Sequence, residues 1–158
     1  MPGDAPAFFD LPAPSTGGVP LFTGTRTVDI KKLFGTDRKA EEAGVWVDIG
    51  QGARVRVARD TSPTYRKKLQ DVIRPYRGAI AAGAMDDRAA HGLFCKAAAG
   101  TILLDWSGIE VDGKPLAFSV DAAEQLMVDV PDFYKTIKAF SEDAALYRDQ
   151  IEAAEQKN

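Results

Sequence analysis

The alternation of apolar and polar positions is clearest over residues 44–59, where it has a period of two. Valine and isoleucine alternate with other residues on both sides of the glycine-rich segment Gly50–Gly52, and this pattern predicts a β-hairpin. Trp46, Arg54 and Arg56 fall on the face opposite the aliphatic side chains. Because an isolated hairpin is only marginally stable, we expect its aliphatic face to lie on helices.

Apolar positions spaced by three and four residues predict four helices, over about 63–82, 85–104, 120–129 and 131–155. Ser62 and Ser119 precede the first and third helices as N-caps, and Pro131 begins the last. Pro75 lies inside the first helix and is expected to kink or break it, because proline removes a backbone hydrogen bond.

A second, short strand pair is predicted after the second helix, which we expect to end at Asp105–Gly108. Apolar stretches at 109–111 and 116–118 flank the tetrapeptide Asp112–Pro115. That tetrapeptide begins with Asp-Gly, a strong turn signal because both residues tolerate positive φ.

The first 27 residues differ from the rest, since five of the nine prolines fall at positions 2, 6, 12, 14 and 20. Proline opposes both helix and central strand, so residues 1–27 predict a flexible or polyproline-like arm. The arm also carries Phe8, Phe9 and Phe22. Two interpretations stay open: these aromatic side chains fold back over the domain, or they dock on a partner or a neighbouring subunit.

These patterns together predict an α+β fold in a mostly helical single domain over residues 28–158. The domain has one β-hairpin and one short second strand pair. It begins with a short helix over 28–34, capped by Thr27 and closed by Gly35. A hydrophobic content of 45% and a charged content of 27% are typical of a soluble globular protein.

Charge and composition exclude several classes of function. The net charge of −3 argues against a non-specific nucleic-acid binder, which normally has a basic face. No apolar run approaches the roughly 18 residues that a membrane span needs. The single cysteine cannot form an intrachain disulfide, and the first residues lack a signal-peptide pattern. The expectation is a cytoplasmic protein.

Residues that could carry chemistry are few. His91 and Cys95 are four apart on one predicted helix, but two ligands do not make a zinc site, and we expect Cys95 to be a core residue. Asp105, Glu110 and Asp112 are too widely spaced for a calcium loop. The Gly50–Gly52 turn lacks the elements of a phosphate loop. We therefore expect no enzyme activity, no metal and no cofactor.

Candidate partner-binding residues come from three places: the aromatic residues of the arm, the outer face of the hairpin, and the apolar stripe of the last helix. Aromatic and arginine side chains dominate interface hot spots, whereas a helix stripe is most often core and otherwise marks a partner groove or a self-association seam. The candidates are Phe8, Phe9, Phe22, Trp46, Arg54, Arg56, Phe133, Ile137, Phe140 and Tyr147.

The part of the chain from about residue 44 to 154 resembles tail assembly chaperones of long-tailed bacteriophages. The resemblance rests on three segments in the same order and spacing: VRVARDTSPTYRKKL (55–69), LLDWSGIEVDGKPLAFS (103–119) and AAEQLMVDVPDF (122–133).

The resemblance implies a protein that acts in the cytoplasm of the infected host. Such proteins bind the long tape-measure protein, keep it soluble and help to recruit tail-tube (major tail) subunits. They carry no catalytic residues, and homo-oligomerisation stays open. The alternative is a structural virion component, a small tail or connector protein whose N-terminal arm clasps a neighbouring subunit.

Overall fold

The computed structural model describes residues 26–148. The described residues divide into two units, the first ending at Gly35 and the second beginning at Thr36. In the described part of the first unit, helix α1 spans Ile30–Phe34. The side chain of Asp29 accepts hydrogen bonds from the N–H groups of Lys31 and Lys32, so the predicted cap at Thr27 was wrong by two residues. Gly35 follows the helix as predicted.

The second unit alternates short helices with strands. Its elements are α2 (Arg38–Ala43), β1 (Val45–Gly50), β2 (Ala53–Val57), α3 (Pro63–Ile73), a 3-10 turn (Arg74–Tyr76), α4 (Arg77–Ala81), α5 (Asp87–Ala98), β3 (Leu103–Ser107), β4 (Glu110–Val111), β5 (Lys114–Pro115), α6 (Val120–Asp129) and α7 (Pro131–Glu142). Residues 144–148 are also helical. This mixture of helix and strand, with one hairpin and a short second pair, confirms the predicted α+β class.

The sheet has three antiparallel strands in the order β1-β2-β3, and the short pair β4-β5 is separate from it. Val45 pairs with Val57 across the hairpin, as the alternation predicts. On its other side β2 pairs with β3, where Val55 lies opposite Trp106. Strand β2 is therefore central, and its aliphatic side chains Val55 and Val57 are fully buried.

The core lies between the sheet and helices α3, α5, α6 and α7. Its large, fully buried side chains are Val55, Val57, Cys95, Ile102, Leu103, Met127, Ile137 and Tyr147. Burying one aliphatic side chain stabilises the fold by roughly 1.5–3 kcal/mol. The hairpin thus has the helical support that it needs, and Cys95 is a core residue as predicted.

Several predicted helix boundaries are confirmed by their caps. Ser62 Oγ accepts a hydrogen bond from the Tyr65 N–H at 3.3 Å, and Ser119 Oγ accepts one from the Ala122 N–H at 3.0 Å. The first long helix ends at Ile73, and a 3-10 turn contains Pro75. Proline therefore interrupts the predicted helix as expected.

The second predicted helix was too long. Helix α5 ends at Ala98, and Leu103–Ser107 forms strand β3, so the segment predicted as a helix end belongs to the sheet. Gly100 has φ +81°, in the left-handed region that glycine adopts readily after a helix. Asp105 and Trp106 consequently lie within a strand rather than in a terminating turn.

The last predicted helix is divided. Helix α7 ends at Glu142, and Asp143 has an extended backbone conformation. The Asp143 carboxylate accepts a hydrogen bond from the Ala145 N–H at 3.0 Å and so begins a new helical segment. In residues 26–148 no helix has the length and apolarity needed to cross a membrane.

Candidate partner-binding groove

An apolar groove of about 610 Å³ lies between the turn of the hairpin, the β4-β5 pair and the junction of α6 with α7. Its apolar lining residues are Ile49, Ala53, Ile109, Val111, Leu126, Val130 and Phe133. Glu110 is the charged residue among the lining residues. The rest of the lining consists of Gly50, Gln51 and Gly108, which carry no charge.

The hairpin turn forms one wall. Gly50, Gln51 and Gly52 all have positive φ, and the Asp48 carboxylate accepts a hydrogen bond from the Gly50 N–H at 2.8 Å. Gly108 lies against this turn so closely that a Cβ at its position would be 2.8 Å from the Gly52 carbonyl oxygen. Glycine at 108 therefore lets the β4-β5 pair approach the hairpin and close one end of the groove.

Trp106 fixes the short strand pair to the sheet. Its indole Nε1–H donates a hydrogen bond to the Leu116 carbonyl at 2.7 Å. Its ring meets Phe118 edge-on, with 5.0 Å between ring centroids, and lies 6.5 Å from the ring of Phe133. A buried indole that satisfies its N–H in this way holds the loop after β3 in one position, and with it the second wall of the groove.

The third wall is the junction between two helices. Val130 follows α6 and precedes Pro131, the first residue of α7. Its N–H donates to the Leu126 carbonyl and its carbonyl accepts from the Phe133 N–H, each at 2.9 Å. With both backbone groups bonded, the valine side chain is held at the surface, where 44% of it is exposed.

Exposed apolar side chains make this groove a candidate contact surface. Ile49 is 36% exposed and Val111 is 38% exposed, and both line the same concavity as Val130. Scattered exposed aliphatic residues are ordinary, but several that share one concave surface indicate a place where a partner's apolar side chains can bind.

Phe133 is the predicted partner-binding residue that the structure places in the groove, where it is half-buried. The other stripe residues turn inward: Ile137 and Tyr147 are buried in the core and Phe140 is half-buried against it. These side chains therefore follow the alternative in which the helix stripe packs into the core.

The hairpin candidates lie on the opposite face of the strands from the groove. The Arg54 guanidinium lies over the ring of Trp46, 5.2 Å from its centroid, and this tryptophan is 41% exposed. Arg56 is partly buried, and its Nε has no hydrogen-bond partner among residues 26–148. The arm candidates Phe8, Phe9 and Phe22 lie outside the described residues.

The sequence did not single out Ile49, Val111 or Val130. Each stands next to a turn or a proline, and each belongs to a different segment of the chain. A weak signal existed in the aliphatic residues beside the turns at 50–52 and 112–113 and beside Pro131, but only the fold brings the three together.

His91 and Cys95, the residues considered for chemistry, contact each other and the main chain of α6. His91 Nε2 donates to the Met127 carbonyl at 3.1 Å, and the Cys95 Sγ lies 3.4 Å from the same nitrogen. Burial, helped by the nearby Glu124 carboxylate, raises the pKa of the Cys95 thiol to about 12, so the thiol stays protonated at neutral pH. Across residues 26–148, no three His, Cys, Asp or Glu side chains lie close enough together to hold a metal ion.

Comparison with known proteins identifies the family to which the chain belongs. No curated protein and no solved structure matches the chain. The family model described as YdaY prophage protein matches residues 60–158, which is more than half of the chain and includes two walls of the groove. The chain therefore belongs to the YdaY prophage protein family and is phage-derived.

Proposed function

We propose that this protein is a phage tail assembly chaperone, which binds the tape-measure protein and helps to recruit tail-tube subunits in the cytoplasm of the host. The groove is the surface that we assign to the tape-measure protein. The observation that carries the proposal is the set of exposed apolar side chains that share this concavity, namely Ile49, Val111 and Val130.

A holding chaperone needs an accessible apolar surface on a body that itself stays soluble. The groove provides such a surface, while the excess of 23 acidic over 20 basic residues keeps the whole chain negatively charged. The phage-derived family and the resemblance of residues 103–133 to tail assembly chaperones support the same role. On this proposal the protein acts by binding and needs no catalytic residue.

Co-expression with the tape-measure protein tests the proposal. We expect the tape-measure protein to be insoluble when expressed alone, and to be soluble and co-purified when expressed with this chain. A tape-measure protein that stays insoluble and unbound beside the wild-type chain would reject the proposal. Abundant copies of the chain in purified virions would instead favour the structural component whose arm clasps a neighbour.

A matched pair of variants tests whether the tape-measure protein contacts the groove. Val130→Ser removes an aliphatic side chain that is 44% exposed in the groove, at a helix N-cap position that serine favours. Ile80→Ser removes one that is 45% exposed in a separate apolar cleft of about 210 Å³. We expect Val130→Ser to lower the yield of soluble tape-measure protein and Ile80→Ser to leave it unchanged. The reverse result would move the contact away from the groove.

A further inference from the structure

Exposed carboxylates accompany the residues that line the groove. Glu110 lines it, and Asp112, Asp129 and Asp132 each follow or precede a lining residue in the sequence. All four residues are exposed. In the described part of the chain the ion pairs involve other acids, Glu41, Asp60, Asp71 and Glu142, so none of these four carboxylates forms an ion pair there.

Cations are scarce at the same place. Arg54 follows the lining residue Ala53, but its guanidinium lies over Trp46 on the other face of the hairpin. Lys114 pairs across the short strand pair with Val111. The segments that line the groove therefore carry four exposed carboxylates, whereas the whole chain holds 23 acidic and 20 basic residues. Acidic residues thus outnumber basic ones more strongly beside the lining residues than in the chain as a whole.

We infer that the groove binds an amphipathic helix with an apolar face and basic flanks. The inference rests on the proposed function, because it assumes that a protein segment enters the groove, and it adds the charge and conformation of that segment. Apolar side chains of the helix contact Ile49, Val111 and Val130. Its lysine and arginine side chains then reach the carboxylates that border these residues, which is the complementarity expected at a protein interface.

A helix suits this surface better than an extended peptide. The lining consists of side chains from the hairpin turn, the β4-β5 pair and the α6–α7 junction, rather than of one free strand edge. The strand β4 contributes only two residues to the lining, so an extended peptide would leave most of its backbone N–H and C=O groups without partners. A helix satisfies those groups internally and presents side chains at i, i+3, i+4 and i+7 to the groove.

Two labelled synthetic helical peptides test the inference by fluorescence anisotropy. They share one apolar face, and their flanks carry lysine in one peptide and glutamate in the other. At about 50 mM salt we expect the lysine peptide to bind about tenfold more tightly, a difference equal to 1.4 kcal/mol. The difference should shrink as the salt is raised, because exposed charges are then screened.

Charge-neutral variants locate the effect. The double variant Asp129→Asn/Asp132→Asn keeps side-chain oxygens that accept hydrogen bonds but removes two charges, and we expect it to weaken binding of the lysine peptide about threefold to fivefold. Glu42→Gln, which removes an exposed carboxylate on α2, should change nothing. Val130→Ser should weaken binding of both peptides, because it acts on the shared apolar contact. Far-ultraviolet circular dichroism identifies any variant that has lost its fold.

The other possible results distinguish a failure of this inference from a failure of the proposed function. Equal affinity for the two peptides, tighter binding of the glutamate peptide, or binding of neither peptide would refute the inference. If the tape-measure protein is nevertheless kept soluble, the proposed function stands and only the charge of its ligand is wrong. If the lysine peptide binds in the groove but the tape-measure protein is not kept soluble, the inference stands and the chaperone function fails.

Discussion

The hydroxyl of Tyr147 donates a hydrogen bond to the backbone carbonyl of Val57, with 3.0 Å between the two oxygens. The tyrosine is fully buried, and the Arg59 guanidinium lies over its ring, 5.5 Å from the centroid. Val57 is the last residue of the central strand. The segment after the interruption at Asp143 is thereby fixed to the middle of the sheet.

Removing this hydroxyl should destabilise the domain without changing its fold. We expect Tyr147→Phe to lower the free energy of unfolding by about 1 kcal/mol, the usual net contribution of one hydrogen bond, since the Val57 carbonyl loses a partner. Urea denaturation followed by circular dichroism measures the change. Tyr76→Phe, at a tyrosine that is 44% exposed, serves as the control and should have little effect. An equal loss in both variants would contradict the assignment.

Stability should fall at alkaline pH. Burial raises the pKa of Tyr65, Tyr134 and Tyr147, and it raises the pKa of Cys95 to about 12. The folded state therefore holds these protons more tightly than the unfolded state. Their stabilising contribution is complete below the ordinary pKa values of 9.0 and 10.0 for Cys and Tyr and is lost as the pH rises above them.

Urea denaturation between pH 7 and 11 checks this sign. We expect the free energy of unfolding to change little with these groups up to about pH 8.5 and then to decline. The decline should be shallower in Tyr147→Phe, which has one fewer raised pKa. A flat profile up to pH 11, or a rise, would contradict the predicted direction.

Two glycines with the same φ allow the cost of backbone strain to be distinguished from the cost of a steric clash. Gly44 and Gly52 both have φ +84°, but a Cβ at Gly44 would lie 2.9 Å from Leu104 Cδ1 and 3.2 Å from the Val57 carbonyl carbon. No atom of the described residues lies within 4 Å of a Cβ at Gly52. Gly52→Ala should therefore lower the free energy of unfolding by about 1–2 kcal/mol, the strain of an L-residue at positive φ.

Gly44→Ala should destabilise the domain by a further 1–3 kcal/mol or so, because the core must move to admit the methyl group. Chemical denaturation of the two variants measures the difference between them. If the two losses are equal, the close approach of Gly44 to strand β2 and to Leu104 has no energetic effect.

Trp106 should control the order of the loop that forms the groove. Trp106→Phe removes the hydrogen bond to the Leu116 carbonyl and should lower the free energy of unfolding by about 1–2 kcal/mol. Hydrogen exchange should accelerate at the Leu116 amide, which donates to the Ile109 carbonyl at 2.9 Å. Trp46→Phe, on the exposed hairpin face, should leave that amide unchanged. If hydrogen exchange at the Leu116 amide is unchanged in Trp106→Phe, the indole does not control the order of the loop that forms the groove.

Local signals in the sequence predicted those parts of the fold that are decided by neighbouring residues. Ser62 and Ser119 cap helices because their hydroxyls reach N–H groups three residues ahead. Asp112 and Gly113 form a turn because both adopt positive φ, at 53° and 79°. The alternation around residues 50–52 predicted the hairpin, and the structure adds its register.

Contacts between distant segments decided the rest. The apolar run at 101–106 fits either a helix or a strand by its periodicity, and pairing with β2, about fifty residues earlier, makes it a strand. The groove has the same origin, because its walls come from three segments that are distant in the sequence. Local patterns mark aliphatic residues beside turns, but they do not show that these segments meet.

The position of β3 also shows that the family match and the folding unit begin at different residues. The family match begins at residue 60, after both strands of the hairpin, yet it includes β3, whose partner strand is β2. A chain cut at that boundary would keep an edge strand with unpaired backbone groups and would uncover Leu103 and Trp106. Residues 45–57 are thus a required part of the folding unit, and a fragment that follows the family limits alone should aggregate.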